Sequence, residues 1–318
     1  MKHRYGGNSN LVPLWSLVCV LVATAGVPGE DRVRWQNDRG ERIEWRGEIV
    51  AYTAREVQLK NAAGRVVKAS ADRLLQVTYD RSEAHQQADA LLAAGEFDQA
   101  AEKYQAAFRE EARSWVKEEL AASLVRCQMS LNQPTSAAKI FLAIVTENNE
   151  SRFWPVIPLT WTADVPADAR RGPWNDWLHD KRPAARLLAA SWLWAGNQQA
   201  EAERTLRELL RDESATVRQL AAAQQWRAQI VRANVADVER WDAEWREMPD
   251  DLRGGPAVSL AQAWQRLERT DDAVLAYLLA AWHPYTPAPL ATECRTAAAR
   301  LLREQGHEDE AARLQTRP

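Results

Sequence analysis

The chain has 318 residues, 46% of them hydrophobic and 27% charged, with a formal net charge of −3. That balance excludes a long disordered chain, which would lack the apolar surface to offset its conformational entropy. Charges of both signs are interspersed, and no basic stripe marks a nucleic-acid partner.

Lys2, His3 and Arg4 open the chain, Leu11 to Val22 run almost wholly apolar, and Ala23-Thr24-Ala25 is a small-x-small pattern. In that order these features predict an export signal over residues 1–25, cleaved after Ala25, and hence a periplasmic or cell-envelope protein. The apolar stretch is about a dozen residues, short of the ~20 that span a bilayer. A membrane tether is expected only if the segment stays uncleaved. Cys19 follows Val18, not the small residue a lipoprotein signal favours. Beyond it only Cys127 and Cys294 remain, too few for a disulfide framework. Both sit in Ala-rich helical patterns, which predicts buried thiols.

Residues 26–80 form the first module. Val33 and Trp35 alternate with polar residues, as do Ile43, Trp45, Gly47, Ile49 and Ala51, then Val57 and Leu59, then Leu75, Val77 and Tyr79. Period-two alternation predicts half-buried strands. Asn37 to Gly40 and Asn61 to Gly64 carry turn chemistry between them. About five short strands imply a small, bent antiparallel barrel, similar to SH3-like or Sm-like barrels. So small a module needs the following helices for stability.

From Ser82 the period becomes helical. Ala84, Ala88, Leu91 and Leu92 make one apolar face, Gly95 and Phe97 lie at a turn, and Ala100, Tyr104 and Ala107 face inward from a second helix. Small residues let paired helices approach, and large ones fill the gap to the next pair. Ala88, Leu91, Gly95, Phe97, Ala100, Tyr104 and Ala107 together resemble the tetratricopeptide repeat. Ala122, Val125, Ala137, Phe141 and Ile144 repeat the pattern one family period later, about 34 residues on, with a longer turn around Asn132-Gln133-Pro134. A weaker copy follows at Leu188 to Leu209, and a good match at Ala261 to Ala280, where Ala273, Tyr277 and Ala280 carry it. Ala299, Leu302, Gly306 and Ala311 form a truncated last copy. An irregular helix pair is expected over 213–247, and a break over Met248 to Pro256. The expected fold is mostly α. A curved α-solenoid of about five antiparallel helix pairs occupies 82–146 and 183–318, behind the small all-β barrel-like module.

Residues 147–182 interrupt the array. Trp154, Pro155, Pro158, Trp161, Pro166, Pro173, Trp174 and Trp177 fall here without regular period. The prolines exclude a long helix. The aromatic content predicts an ordered insertion laid against the array.

The chain has no HExxH, CxxC, P-loop, GxGxxG or GxSxG string, and His307 beside Glu308 to Glu310 reads as a solvated helix start. No catalytic residue, metal site or cofactor is therefore expected. The 15 tryptophans mostly read as packing. Trp154, Trp161, Trp174 and Trp177 are the candidates for contacts with a ligand. Arg186, Arg204 and Arg218 are candidates for pairing with acidic groups of a partner. The resemblance implies a scaffold for a protein or peptide partner. A carbohydrate-binding protein using the Trp-rich insertion is the alternative, with an enzyme behind both.

Overall fold

The computed structural model describes residues 30–162, 169 and 172–316. The expected export signal and part of the insertion lie outside them. Five strands come first: β1 (Asp31–Gln36), β2 (Arg42–Tyr52), β3 (Glu56–Lys60), β4 (Val66–Ser70) and β5 (Leu74–Thr78). All pairs are antiparallel, in the order β4-β3-β2-β1-β5. β2 is long because it serves two partners: Arg42 to Gly47 pair with β1, and Glu48 to Tyr52 with β3. Gly47 sits at the handover. A Cβ there would lie 2.2 Å from the Lys60 carbonyl oxygen, so only glycine permits the close crossing.

Closure of a barrel would require the two end strands to exchange backbone hydrogen bonds. A three-residue 3₁₀ turn, Ala71–Arg73, instead delivers β5 to the far side of β1. The sheet is therefore open, and the expected barrel is corrected to a bent five-stranded sheet. One inner position also changes. A bulge between Arg34 and Trp35 pairs Trp35 with Leu74 and leaves Leu75 half exposed, although alternation with Val77 had placed it inside.

Thirteen α-helices follow among the described residues. They begin with α1 (Glu83–Ala94), α2 (Phe97–Glu110), α3 (Ser114–Ser130) and α4 (Pro134–Glu147). Short α5 (Trp174–Leu178) leads to α6 (Pro183–Leu193), α7 (Gln199–Leu209), α8 (Ala215–Gln229) and α9 (Val235–Arg246). The last four are α10 (Gly254–Arg266), α11 (Thr270–Ala281), α12 (Ala288–Glu304) and α13 (Glu308–Thr316). Most successive helices pack on one another, α4 meets α6 across the insertion, and α8 and α9 each pack on α10, so the stack is continuous. Ala88, Ala100, Tyr104 and Ala107 are buried between α1 and α2, with Leu91 and Phe97 half-buried at the seam and Gly95 at the turn. Ala273, Tyr277 and Ala280 repeat the arrangement on α11. α8 and α9 form the irregular pair: their indoles Trp226 and Trp241 stack at 6.1 Å, and both helices lean on α10.

Four first helices end on the same device. Gly95, Asn132, Glu268 and Gly306 take φ of 80°, 55°, 59° and 85° after α1, α3, α10 and α12. In each case the next amide donates to the carbonyl five residues back: Glu96 to Leu91, Gln133 to Gln128, Arg269 to Trp264 and His307 to Leu302. This is the Schellman closure, which satisfies an orphan helix carbonyl and turns the chain into the second helix. The break expected at Met248 to Pro256 is shorter than its prolines and glycines suggested. A 3₁₀ turn, Asp250–Leu252, precedes α10, and Gly254, Gly255 and Pro256 form its first turn, where proline costs no hydrogen bond.

The sheet docks on α3. Trp115 donates its indole N–H to the Ile49 carbonyl at 3.0 Å and meets Tyr79 edge-on at 4.7 Å. Arg113 reaches Asp31 at 3.4 Å and the Asp80 carbonyl at 2.8 Å. Cys127 and Cys294 are buried free thiols whose pKa values burial pushes up to about 11 and about 12.

A side chain at positive φ costs ~1–2 kcal/mol that glycine avoids, less part of the entropy glycine loses on folding. Glu268→Gly should therefore stabilise the protein by about 0.5–1 kcal/mol. Urea denaturation checks this, and an unchanged or lower midpoint would contradict the repeated closure as the reason for the turn.

Candidate partner-binding cleft

The stack curls far enough that the loop after α11 returns to α3, where Arg126 Nη2 donates to the Pro284 carbonyl at 3.3 Å. The inner surface of this curve holds the insertion. A 3₁₀ turn, Trp154–Val156, packs on α3, and Phe153, Val156, Leu159 and Trp161 are buried beneath the array. Its anchor is a cation. Arg227 on α8 is buried without a carboxylate partner among the described residues. Its Nη1 donates to the Thr160 carbonyl at 2.6 Å and to Gln224 Oε1 at 2.9 Å, and Nη2 to the Ser191 carbonyl at 3.3 Å. Burial lowers its pKa to about 10. A guanidinium spreads its charge over several donors in fixed directions, so neutral carbonyls from the insertion and α6 can satisfy it together.

Around the insertion two connected recesses remain, sharing Leu92, Arg126, Val156 and Tyr285. One holds about 230 Å³ and is the more apolar, with Val125, Met129, Ile157, Leu159 and Leu290 in its walls beside Asp251 and His283. Gly255 matters here, because a Cβ would lie 2.1 Å from the Trp161 ring. The glycine lets the indole approach the start of α10.

The other recess holds about 670 Å³ and is charged. Its floor is a network built on Glu119 of α3. The carboxylate accepts from the Tyr79 hydroxyl at 2.7 Å and pairs with Arg152 at 2.7 Å and Arg81 at 3.4 Å. Arg152 lies between the Tyr52 and Phe153 rings, 4.0 and 4.3 Å from their centroids. Arg81 also pairs with Asp89 at 2.8 Å, and Asp89 accepts from the Tyr104 hydroxyl at 2.7 Å. Burial pushes the Glu119 carboxyl up, but Arg152, Tyr79 and Arg81 outweigh it and hold its pKa below the usual range. Burial lowers the pKa of His85, and Asp89 opposes this in part. Tyr79 and Tyr104 are pushed well up, first by burial and then by their carboxylate partners.

The four candidate tryptophans fall in different places. Trp161, buried, lines the apolar recess and a further one beside Trp192. Trp174 is 3% exposed, stacks on Trp192 at 5.8 Å and donates to the Ala169 carbonyl, which leaves no free face for a sugar ring. Trp177 meets Trp174 edge-on at 5.4 Å, and Trp154 meets Phe141 at 5.6 Å. None of these three lines either recess of the cleft. The candidate arginines have partners within the chain. Arg186 pairs with Glu208, Arg204 with Glu201 at 3.2 Å, and Arg218 donates to the Asp212 carbonyl at 2.6 Å. Sequence reasoning missed Arg126, Arg152 and Glu119, which are separated in the chain and look like ordinary helix-face or loop charges. Among the described residues, no group of three His, Cys, Asp or Glu side chains converges as for a metal ion. No helix of these residues is long and apolar enough to cross a membrane.

A family model described as tetratricopeptide repeat matches residues 91–156, from the end of α1 to the 3₁₀ turn of the insertion. No curated protein and no solved structure matches the chain. Repeats stacked in this way contact only their neighbours and present an extended concave surface.

His85, buried beside the charged recess, and Glu119, on its floor, give stability the same pH dependence. The folded pKa of His85 lies below its unfolded value, so the unfolded chain takes up the proton first as pH falls below about 6.5. The depressed carboxyl of Glu119 adds a loss below about pH 4.3, as pH falls toward its folded pKa. The melting temperature should therefore fall from pH 7 to pH 5, and less steeply in His85→Gln. Melting curves of equal slope in the two proteins would count against the assignment.

Proposed function

We propose that the protein is an exported, non-catalytic scaffold of the cell envelope that holds an extended segment of a partner protein in the cleft between α3, the insertion and the loop after α11. One observation carries the reading: an apolar recess runs directly into a charged one, along the inner side of a curved helical stack. The first suits apolar side chains and the second an acidic group. Arg81 and Arg152 are already neutralised by Asp89 and Glu119, whereas Arg126 forms no ion pair among the described residues. The repeat match supports a protein partner over a small molecule. Export rests on the basic, apolar and small-residue order of Lys2 to Ala25.

A photo-crosslinking residue at Ser130, in the cleft wall, should capture a partner in the native envelope, and one at exposed Glu102 should not. Arg126→Glu should reduce the capture about tenfold, as expected for loss of a charge-assisted hydrogen bond. Equal capture from the two positions would remove the cleft as the binding site. Amino-terminal sequencing of the mature protein should begin near Gly26, and an intact Met1 would count against cleavage.

A further inference from the structure

We infer that the open edge of β5 is a docking site, to which an extended segment of the partner adds as a sixth strand before its chain passes on toward Arg126. The inference deepens the cleft reading above and rests on it.

Among the described residues β5 ends the sheet, with β1 on one side and no strand on the other. Backbone N–H and C=O groups of a strand point alternately to its two sides, so part of the set on β5 faces outward unpaired. That side opens into the charged recess, whose lining includes Leu74, Leu75, Gln76 and Val77. Successive side chains point to opposite faces of a sheet. A recess that borders four consecutive residues therefore runs along the edge of the strand, not across one face. A shallower depression continues it past Leu74 toward Gln36.

Natural sheets guard open edges with charges, prolines or covering segments. The other edge follows that rule: β4 carries Lys68, paired with Glu56 at 2.8 Å, and borders neither recess. β5 reads Leu-Leu-Gln-Val-Thr, with no charge and no proline, and Leu75 is 51% exposed.

The walls select the occupant. An added strand lies ~4.8 Å from β5. The recess that would receive it is also lined by Asp89 and Leu92 of α1, Glu119 and Arg126 of α3, and Arg152. Its volume of about 670 Å³ is that of a short segment of chain, not of a folded edge. The edge of a second copy would arrive with its own sheet and helices behind it. Three arginines face two carboxylates in this recess, and Arg126 is the one without an ion-pair partner among the described residues. The occupant is thus an uncharged, strand-forming run of four or five residues of a partner protein, with an acidic residue beyond it. Main-chain pairing would supply affinity, and the carboxylate its register.

The test uses the purified protein and 12-residue peptides selected from a display library against it. The best peptide should slow hydrogen exchange of the Leu74–Thr78 amides. N-methylation at one alternating set of its residues should weaken binding about tenfold per site, and the complementary set should be tolerated, because only one edge of an added strand donates to the sheet. Leu75→Lys, at an exposed position, should weaken the peptide without shifting the melting temperature. A peptide that needs Arg126 but leaves the β5 amides unprotected and shows no alternation would overturn strand addition while leaving the cleft reading intact. Failure to select any peptide dependent on Arg126 would overturn both.

Discussion

The close approach of paired helices at alanine governs the whole molecule. Ala88 faces Ala100 and Ala107 across the first pair, and all three are buried. A methyl group is the largest side chain that two helix backbones admit at this separation. Bulky neighbours then fill the space between pairs: Tyr104 and Leu120 near the start of the stack, Phe141 and Leu188 further on. Because each pair contacts little beyond its neighbours, small rotations accumulate into curvature. The curvature brings Pro284 back to Arg126, although 158 positions separate them in the chain. The cleft is a consequence of that return.

The curve is not empty. The described part of the insertion runs along its inner side, with Phe153, Val156, Leu159 and Trp161 buried there. A buried cation, Arg227, holds it there through carbonyls on separate segments, and Trp192 adds a bond to the Pro158 carbonyl at 2.9 Å. Most of the tryptophans near the insertion are consumed in this attachment. What is left for a partner lies at the margin, where the insertion, α3 and the open sheet meet.

The sheet contributes more than a cap on the first repeat. Tyr79, at its exit, is bonded to Glu119, and Tyr52 stacks under Arg152. The charged recess thus needs the sheet, α1, α3 and the insertion at once. Its carboxylate stays ionised because three donors offset the cost of its burial. A partner that paired with β5 would lie against this network, so sheet edge and helical groove would act as one surface.

Local pattern was enough to reveal the alternating strands, the alanine-lined helix pairs, the turn at Gly95 and the helices near Trp241, since each depends on residues a few positions apart. The match over residues 91–156 falls where that pattern is sharpest. Whether the sheet closed was not legible, because closure depends on where a three-residue turn sends β5, and residues 71–73 carry no periodic signal for it. The roles of Arg126, Arg152, Glu119 and Arg227 were equally hidden. Each is one charged residue among many in a helical or loop pattern, and only the curvature of the stack decides which of them meet. Sequence alone determined the repeating unit, since helix pairing is a short-range fit of side-chain sizes. Tertiary structure decided the cleft, because a charge is given its partner by the fold and not by its neighbours in the chain.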